Sequence, residues 1–238
     1  MLNILFVFII GIIFGSLASL LSYRIPKGED VFVKRSHCTK CNTKLGILEL
    51  LPLISYFSQK GKCKYCHNKI SIRYPIIESL CGLMFVFIYL SFGYSTLNTL
   101  IFLIFFVLFV ASLIDIETYE VPLKLQILLL ITAYAFGVLS GLDISQLLTH
   151  PLYVYIGGIC LKYTFYFIRG KDGLGLADIN LTFIVTIFLG IEDFVYFMFI
   201  SGVLGVIFGL VWQRLYKKNI FPFFPALSIA FLICYGIL

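Results

Sequence analysis

The chain has 238 residues, of which 61% are hydrophobic and only 13% are charged, and its formal net charge is +6. Soluble domains are closer to half apolar and a quarter charged. The mean hydropathy of +1.02 therefore excludes an ordinary soluble domain and predicts an integral membrane protein. In such a protein, the helices must satisfy their own backbone hydrogen bonds within the lipid.

Eight apolar spans follow one another along the chain, each near the length of about 20 residues that a bilayer requires. They are 2–23, 75–92, 97–114, 121–140, 152–168, 178–191, 195–213 and 220–238. The first span is too long for a cleaved signal and lacks a basic segment before it, so we expect it to remain as a helix. The predicted fold class is an all-α polytopic membrane protein with about eight transmembrane helices and a small cytoplasmic zinc-binding loop domain after the first helix.

The spans divide the chain into three predicted parts. Residues 1–23 form the first transmembrane helix, 24–74 a cytoplasmic tetracysteine loop resembling a zinc ribbon, and 75–238 a multi-helix transmembrane domain. The loop carries most of the positive charge, because eleven of the 18 Lys and Arg residues lie between Arg24 and Arg73.

A basic patch of this kind can bind nucleic acid. Basic loops beside transmembrane helices, however, are more simply explained by a cytoplasmic location. We therefore expect the lipid bilayer, and no nucleic acid, as a partner. With the loop inside, the outside connections near 92–97, 141–151 and 191–194 contain no Lys or Arg.

Two C-x-x-C pairs lie in the polar loop, with 21 residues between them. This spacing is typical of a tetrathiolate zinc site, formed here by Cys38, Cys41, Cys63 and Cys66. A cytoplasmic location disfavours the alternative of two disulfides. Four thiolates leave no coordination position for a reactive water, so the sequence predicts a structural metal site that holds zinc.

Two aspartates stand at the cytoplasmic boundaries of different predicted helices. Asp115 directly follows the apolar run 101–114, and Asp178 precedes the run 179–189. Three interpretations compete: carboxylates solvated at a helix end, an ion or proton relay in a transporter, and a catalytic pair that shares a proton. Spacing alone does not choose between them.

Several motifs, in order and at matching spacing, resemble the type IV prepilin peptidase family. The start of the chain is similar to the family's motifs G-S-F-L-N and Y-R-L-P, with Gly15-Ser16-Leu17-Ala18-Ser19 followed by Tyr23-Arg24-Ile25-Pro26. The next motif, R-S-x-C-P-x-C, is resembled by the stretch that begins Arg35-Ser36-His37-Cys38. Ile70-Ser71-Ile72-Arg73-Tyr74-Pro75 followed by Glu78 resembles I-S-x-R-Y-P-x-x-E. Two further stretches resemble the family's two aspartate motifs. The first is Asp115 with Pro122, and the second is Asp172-Gly173-Leu174-Gly175-Leu176-Ala177-Asp178.

The resemblance implies that Asp115 and Asp178 are the catalytic pair of a membrane-embedded aspartic endopeptidase. Gly175 and Ala177 occupy the glycine positions of the family's G-x-G-D element, and Ala177 departs from it. Glycine at that position would permit a positive φ or a close backbone approach, which alanine restricts.

The implied reactions are two. Enzymes of this family cleave the basic leader of type IV prepilins or pseudopilins at the cytoplasmic face of the bacterial inner or plasma membrane, and then N-methylate the new terminus with S-adenosylmethionine. Glu78 is a candidate for the methyl-transfer step, and a salt bridge to Arg73 or Arg24 is the alternative. Ser19 replaces the family's usual Asn, which leaves open a peptidase without methyltransferase activity. A non-enzymatic zinc-ribbon protein or a transporter is a more distant alternative.

Overall fold

The computed structural model describes residues 2–31, 36–170, 173–218 and 220–237. Arg35 and Asp172, which belong to the motifs quoted above, lie outside these ranges. The helices are α1 (Leu2–Arg24), α2 (Ile54–Ser58), α3 (Arg73–Phe92), α4 (Thr96–Thr118), α5 (Leu123–Leu139), α6 (His150–Arg169), α7 (Leu176–Tyr216) and α8 (Phe224–Ile237), with a π-helical turn at Ser145–Thr149. The described residues contain no β-strand, only two isolated antiparallel bridges. The all-α prediction is thus confirmed.

Fewer helices than predicted are long enough to cross a membrane. Four helices of the described chain are long and apolar enough to cross a membrane, namely α1, α3, α4 from Leu97, and α7. Helices α5 and α8 are apolar but shorter. The prediction of about eight transmembrane helices is therefore supported only in part.

The chain divides at residues 93 and 94 into two compact units, 1–93 (unit 1) and 94–238 (unit 2). In unit 1, α1 packs against α3 at very short range. A Cβ atom on Gly11 would lie 2.7 Å from the Gly82 Cα, and one on Gly15 would lie 2.6 Å from the Glu78 Cα. Small residues at such spacing are what membrane helices use for close contact.

In unit 2, α7 contacts α5, α6 and α8, and α4 contacts α5 and α8. Buried apolar residues of α4 form much of the core, among them Ile104, Leu108, Ala111 and Ile114. The core also contains a polar link, because the Ser112 hydroxyl lies 3.0 Å from the Ser228 hydroxyl and so joins α4 to α8.

Helix α7 reverses direction at Gly190, whose φ of 71° and ψ of −175° are not helical. A straight helix of this length would span about 60 Å. Yet Asp178, near its start, interacts electrostatically with Asp115, and Trp212, near its end, stacks edge-on against Tyr119 at 6.3 Å. The two predicted spans 178–191 and 195–213 thus correspond to two opposed helical segments. The predicted connection 191–194 is instead helical, because one glycine with positive φ makes the turn.

Candidate functional site

The cysteines lie on two turns with the same backbone pattern. In the first turn, the Cys38 N–H donates to the Thr43 carbonyl and the Asn42 N–H donates to the Cys38 carbonyl. In the second, the Cys63 N–H donates to the Asn68 carbonyl and the His67 N–H to the Cys63 carbonyl. Asn42 and His67 both have positive φ, 57° and 56°. Each turn therefore presents its two thiols from one tight loop. We call residues 36–72, which contain both turns, the cysteine module.

The four thiols converge on one point. Their Sγ atoms all lie within 4.8 Å of one another, and Cys38 Sγ is 3.9 Å from Cys66 Sγ. A tetrahedral ion with metal–sulfur bonds of about 2.3 Å requires sulfur separations of about 3.8 Å. The predicted ligand set is therefore brought together with a geometry that fits a metal ion.

The electrostatics of the thiols also favour a cation. The Thr43 hydroxyl and the Thr43 backbone lower the pKa of Cys41 to about 6, and the backbone N–H groups of Cys66 and Tyr65 lower the pKa of Cys63. At Cys38, backbone donors of Cys41 and Lys40 are outweighed by burial and by the neighbouring thiols, so its pKa is raised. Thiolates crowded together in this way are stabilised by a shared cation.

Glu78, the candidate for methyl transfer, is buried at the α1–α3 contact and has 6% of its surface exposed. Its carboxylate accepts the N–H of Leu53 at 2.8 Å and also bonds the Ser16 side chain. Leu53 has a φ of 60°, which is strained for a leucine, and stands directly before α2. Glu78 therefore fixes the turn that leads into α2.

The two arginines considered as partners of Glu78 have other bonds. Arg73 Nη2 donates to the Ser22 hydroxyl at 2.9 Å, and Arg24 Nη1 donates to the carbonyls of Asp30 and Val31. Ser19, the residue that departs from the family motif, is also buried. Its hydroxyl has no hydrogen-bond partner among the described residues.

In unit 2, Asp115 lies in the last turn of α4 and is 7% exposed. Its carboxylate accepts the N–H of Phe224, the first residue of α8. The N-terminus of a helix favours a negative charge at this position. The other oxygen, Oδ2, is buried and has no partner among the described residues.

Asp178 lies in the first turn of α7, close enough to Asp115 for their charges to interact. Its carboxylate accepts the N–H of Gly175, the residue that caps the helix. Gly175 has a φ of −68°, so it is not required for a left-handed conformation. A larger residue would crowd the Asp178 side chain, since a Cβ at position 175 would lie 2.9 Å from Asp178 Oδ2. The structure thus brings together the two aspartates that the sequence analysis paired.

Ala177, the second departure from the family motif, lies within the first turn of α7. A right-handed helix accepts alanine better than glycine. Position 177 of this chain therefore does not require the positive φ that a glycine would permit.

Helix α6 supports the loop before Asp178 through residues that the sequence analysis had not assigned to the site. Lys162 Nζ donates to the Leu174 carbonyl at 3.0 Å. A Cβ on Gly173 would lie 2.3 Å from the Phe165 ring, and one on Gly158 would lie 3.0 Å from Ile179. Lysine within an apolar helix signals such a role, but only the structure identifies its partner.

One end of unit 2 gathers the aspartates and the positive charge. Lys124 begins α5, Arg169 ends α6, Arg214 lies in the last turn of α7, and Lys218 contacts Tyr119 just beyond Asp115. We call this the basic end of unit 2. Asp143, Glu192 and Asp193 lie at the turns of the opposite end.

An apolar groove of about 360 Å³ opens between α5, α6 and α7. Asn180 donates to Gln126 Oε1 at 2.6 Å on its wall. Successive helical residues are rotated by about 100°, so Asn180 and Asp178 project from nearly opposite faces of α7. The groove is therefore separate from the aspartate pair.

These features define a class, a polytopic helical membrane protein with a carboxylate pair at a helix contact and a thiol cluster. Residues 9–92 match the model of the bacterial peptidase A24 N-terminal domain, and residues 102–210 match that of the type IV leader peptidase family. No solved structure matches.

Several relatives cover most of the chain, and each is named prepilin leader peptidase/N-methyltransferase. The protein of Aeromonas salmonicida (strain A449) is 30% identical over 216 residues, which are 86% of this chain and 74% of the relative. That of Bacillus subtilis (strain 168) is 29% identical over 99% of this chain and 94% of the relative. That of Neisseria gonorrhoeae is 29% identical over 93% and 86%, respectively. This chain belongs to the type IV leader peptidase family, and the resemblance drawn from the motifs is confirmed.

Proposed function

We propose that this chain is a membrane-embedded aspartic endopeptidase that cleaves the leaders of type IV prepilins or pseudopilins and methylates the new N-terminus. Its family and the shared name of its relatives support both activities. The observation that carries the peptidase assignment is the meeting of Asp115 and Asp178 at the end of two different helices.

The two carboxylates suit general acid–base hydrolysis. A close pair of carboxylates shares a proton, so one can accept a proton from water while the other donates one to the leaving amine. Asp178 is fixed by the Gly175 N–H, and Asp115 by the Phe224 N–H. Asp115 Oδ2 is the free acceptor that an attacking water requires.

We place the basic end of unit 2 at the cytoplasmic face of a bacterial inner or plasma membrane. Basic residues flanking membrane helices mark that face. The reversal at Gly190 supports eight crossings, because it splits α7 into two segments. A prepilin helix would enter from the bilayer, with its basic leader on the cytoplasmic side and the scissile bond near the interface.

Cys38, Cys41, Cys63 and Cys66 would hold a zinc ion in a closed structural site. For the methyl-transfer step, we propose S-adenosylmethionine as the donor and assign no described residue to binding it. Glu78 would serve this step through the turn at Leu53, because its carboxylate is buried and already bonded.

The deciding experiment is processing of a purified prepilin by the purified enzyme, with and without S-adenosylmethionine. Asp115→Asn and Asp178→Asn are each expected to reduce cleavage by about a thousand-fold or more, because losing one member of a catalytic unit is nearly as harmful as losing all. Glu117→Gln is the matched control, because Glu117 is an acid of the same helix two residues after Asp115, and it should retain cleavage. Full cleavage by either aspartate variant, in folded protein, would remove that residue from the catalytic pair. Failure of the unchanged enzyme to process any prepilin would favour the transporter or non-enzymatic alternative.

Mass spectrometry of the mature N-terminus tests the second activity. Glu78→Gln should leave the cleaved terminus unmethylated while cleavage continues. An unmethylated product from the unchanged enzyme supplied with donor would instead indicate a peptidase without methyltransferase activity, in line with Ser19.

A further inference from the structure

The segment that contains α2 has an unusual surface for a polar loop. Six apolar side chains are exposed there: Ile47 by 79%, Leu48 by 79%, Leu50 by 39%, Leu51 by 36%, Ile54 by 63% and Phe57 by 70%. We call these six residues the α2 patch. Contiguous exposed apolar residues rimmed by polar ones mark a site of contact with a membrane or another protein.

The attachment of α2 fixes the level at which this patch lies. Leu53, within the patch segment, donates its N–H to Glu78. Glu78 is the sixth residue of α3, a helix long and apolar enough to cross the membrane. Five residues of helix rise about 7.5 Å. The start of α2 is therefore held at the level of Glu78, which is closer to the membrane centre than the first residue of α3. This depth is typical of interfacial helices, which bury their apolar face about 5–10 Å.

The charges around the patch complement an anionic lipid surface. Lys60, Lys62, Lys64 and Lys69 follow it in sequence, and Lys40 and Lys44 precede it. Glu49 is the single acidic residue of the cysteine module. Its carboxylate accepts the Gly46 N–H at 2.7 Å, accepts the Tyr65 hydroxyl at 3.2 Å and lies 3.6 Å from Lys64 Nζ. The acid is thus occupied within the module, and the net charge presented outward is positive.

We propose that the α2 patch inserts into the membrane interface, with the lysines that do not pair with Glu49, namely Lys40, Lys44, Lys60, Lys62 and Lys69, against anionic phospholipid headgroups. Each exposed apolar side chain buried in this way contributes stabilisation, as does each basic residue near a negative surface. The cysteine module would then be held to the bilayer at α2 as well as through α1 and α3. This inference concerns lipid contact and does not depend on peptidase activity.

Tryptophan fluorescence in nanodiscs tests the proposal, since Trp212 is the single tryptophan of the chain. In a Trp212→Phe background, tryptophan is introduced as Phe57→Trp in the patch. The control is Lys64→Trp, whose parent side chain is 68% exposed. Lipids brominated near the headgroup end or near the chain end report depth, and aqueous iodide reports exposure to water.

Phe57→Trp should emit at shorter wavelength than Lys64→Trp. It should be quenched at least two-fold more by bromines near the headgroup end than by bromines near the chain end, and should resist iodide. Lys64→Trp should be quenched by iodide. Replacing neutral lipids with anionic ones should strengthen the lipid quenching of Phe57→Trp. Ile54→Trp provides an independent second position if Phe57→Trp disturbs the module.

Quenching of both patch variants by iodide, to the same degree as Lys64→Trp, would overturn the proposal. Protection from iodide that appears only when a prepilin is added would also overturn it, because the patch would then bind protein and not lipid. Binding of metal by each variant verifies that the cysteine module is folded.

Discussion

Each unit of the chain buries a carboxylate at a helix contact, and the two carboxylates differ in how their oxygens are used. In unit 1, Glu78 is bonded to the Leu53 N–H and to Ser16. In unit 2, Asp115 accepts the Phe224 N–H through its carboxylate but has a buried Oδ2 with no partner among the described residues.

A buried acceptor without a partner costs about 1–3 kcal/mol, so a folded protein retains one where another requirement outweighs stability. Glu78 has the contacts of a residue that fixes structure. Asp115, with Asp178 beside it, has the free oxygen that chemistry on a water molecule needs. We therefore propose bond cleavage for unit 2 and loop architecture for unit 1, and each of the following variants tests that division.

The largest effect is expected at the thiol cluster. Cys38→Ser should reduce bound metal from about one ion per chain to almost none, since a structural site requires all four ligands. Metal analysis of purified protein measures this directly. Methylation should be lost, whereas cleavage should fall by less than about ten-fold, because the aspartates lie in unit 2.

Cys160→Ser is the matched control, because Cys160 is an exposed cysteine of α6 outside the cluster. It should retain both metal and activity. If Cys38→Ser abolished cleavage while unit 2 remained folded, the division between the two units would be wrong.

The next effect is expected at Gly175. In Gly175→Ala, the added Cβ would lie 2.9 Å from Asp178 Oδ2 and force the carboxylate to move. A displacement of about 1 Å in a catalytic group can lower the rate about a hundred-fold. We therefore expect kcat to fall by about 10- to 100-fold with metal content unchanged. Gly157→Ala, at a helical glycine with no atom within 4 Å of the added Cβ, is the control. Equal kcat values for both variants would contradict the close contact at Asp178.

A smaller loss is expected at Lys162. Lys162→Met removes the hydrogen bond to the Leu174 carbonyl and so loosens the loop before Asp178. A hydrogen bond from a charged group contributes about 1.5–3 kcal/mol, and a loss of 1.4 kcal/mol is a ten-fold change. We expect kcat to fall about ten-fold with little change in KM, and Lys162→Arg to recover most of it. A KM effect without a kcat effect would instead place Lys162 in substrate binding.

The features that depend on composition and local spacing could be predicted from the sequence. The apolar spans predict the helices because lipid requires a continuous apolar run. The two C-x-x-C pairs predict the convergent thiols because two short turns can each supply two ligands. The ordered motifs predict the family, which in turn pairs Asp115 with Asp178.

Contacts between distant backbone and side-chain atoms could not be predicted. The partner of Glu78 is a backbone N–H, which every residue has, so Leu53 carries no sequence signal for it. The sequence analysis placed a connection at 191–194, whereas Gly190 makes the turn within one residue. At position 177, the family motif left open a positive φ or a close backbone approach, and only the structure shows that Ala177 lies in the right-handed helix that begins at Leu176.

The smallest effects compare two serines on the face of α1 that contacts α3. Ser22 is completely buried, donates to the Ser19 carbonyl at 3.1 Å and accepts from Arg73 at 2.9 Å. Ser22→Ala should therefore destabilise the protein by about 1–3 kcal/mol, since it removes both hydrogen bonds of a buried hydroxyl, one of them from the charged and partly buried Arg73. Thermal unfolding in detergent, with the wild-type protein alongside, measures the difference.

Ser19 is 4% exposed, and its hydroxyl has no partner among the described residues. Removing a buried hydroxyl that makes no hydrogen bond is neutral or stabilising, so Ser19→Ala should change stability by less than about 0.5 kcal/mol or increase it. Ser19→Ala and Ser22→Ala remove the same atom from the same helix, and only the bonding differs. Equal destabilisation by both would show that the Ser19 hydroxyl has a partner after all, and an accompanying loss of methylation would place that partner in the methyl-transfer step.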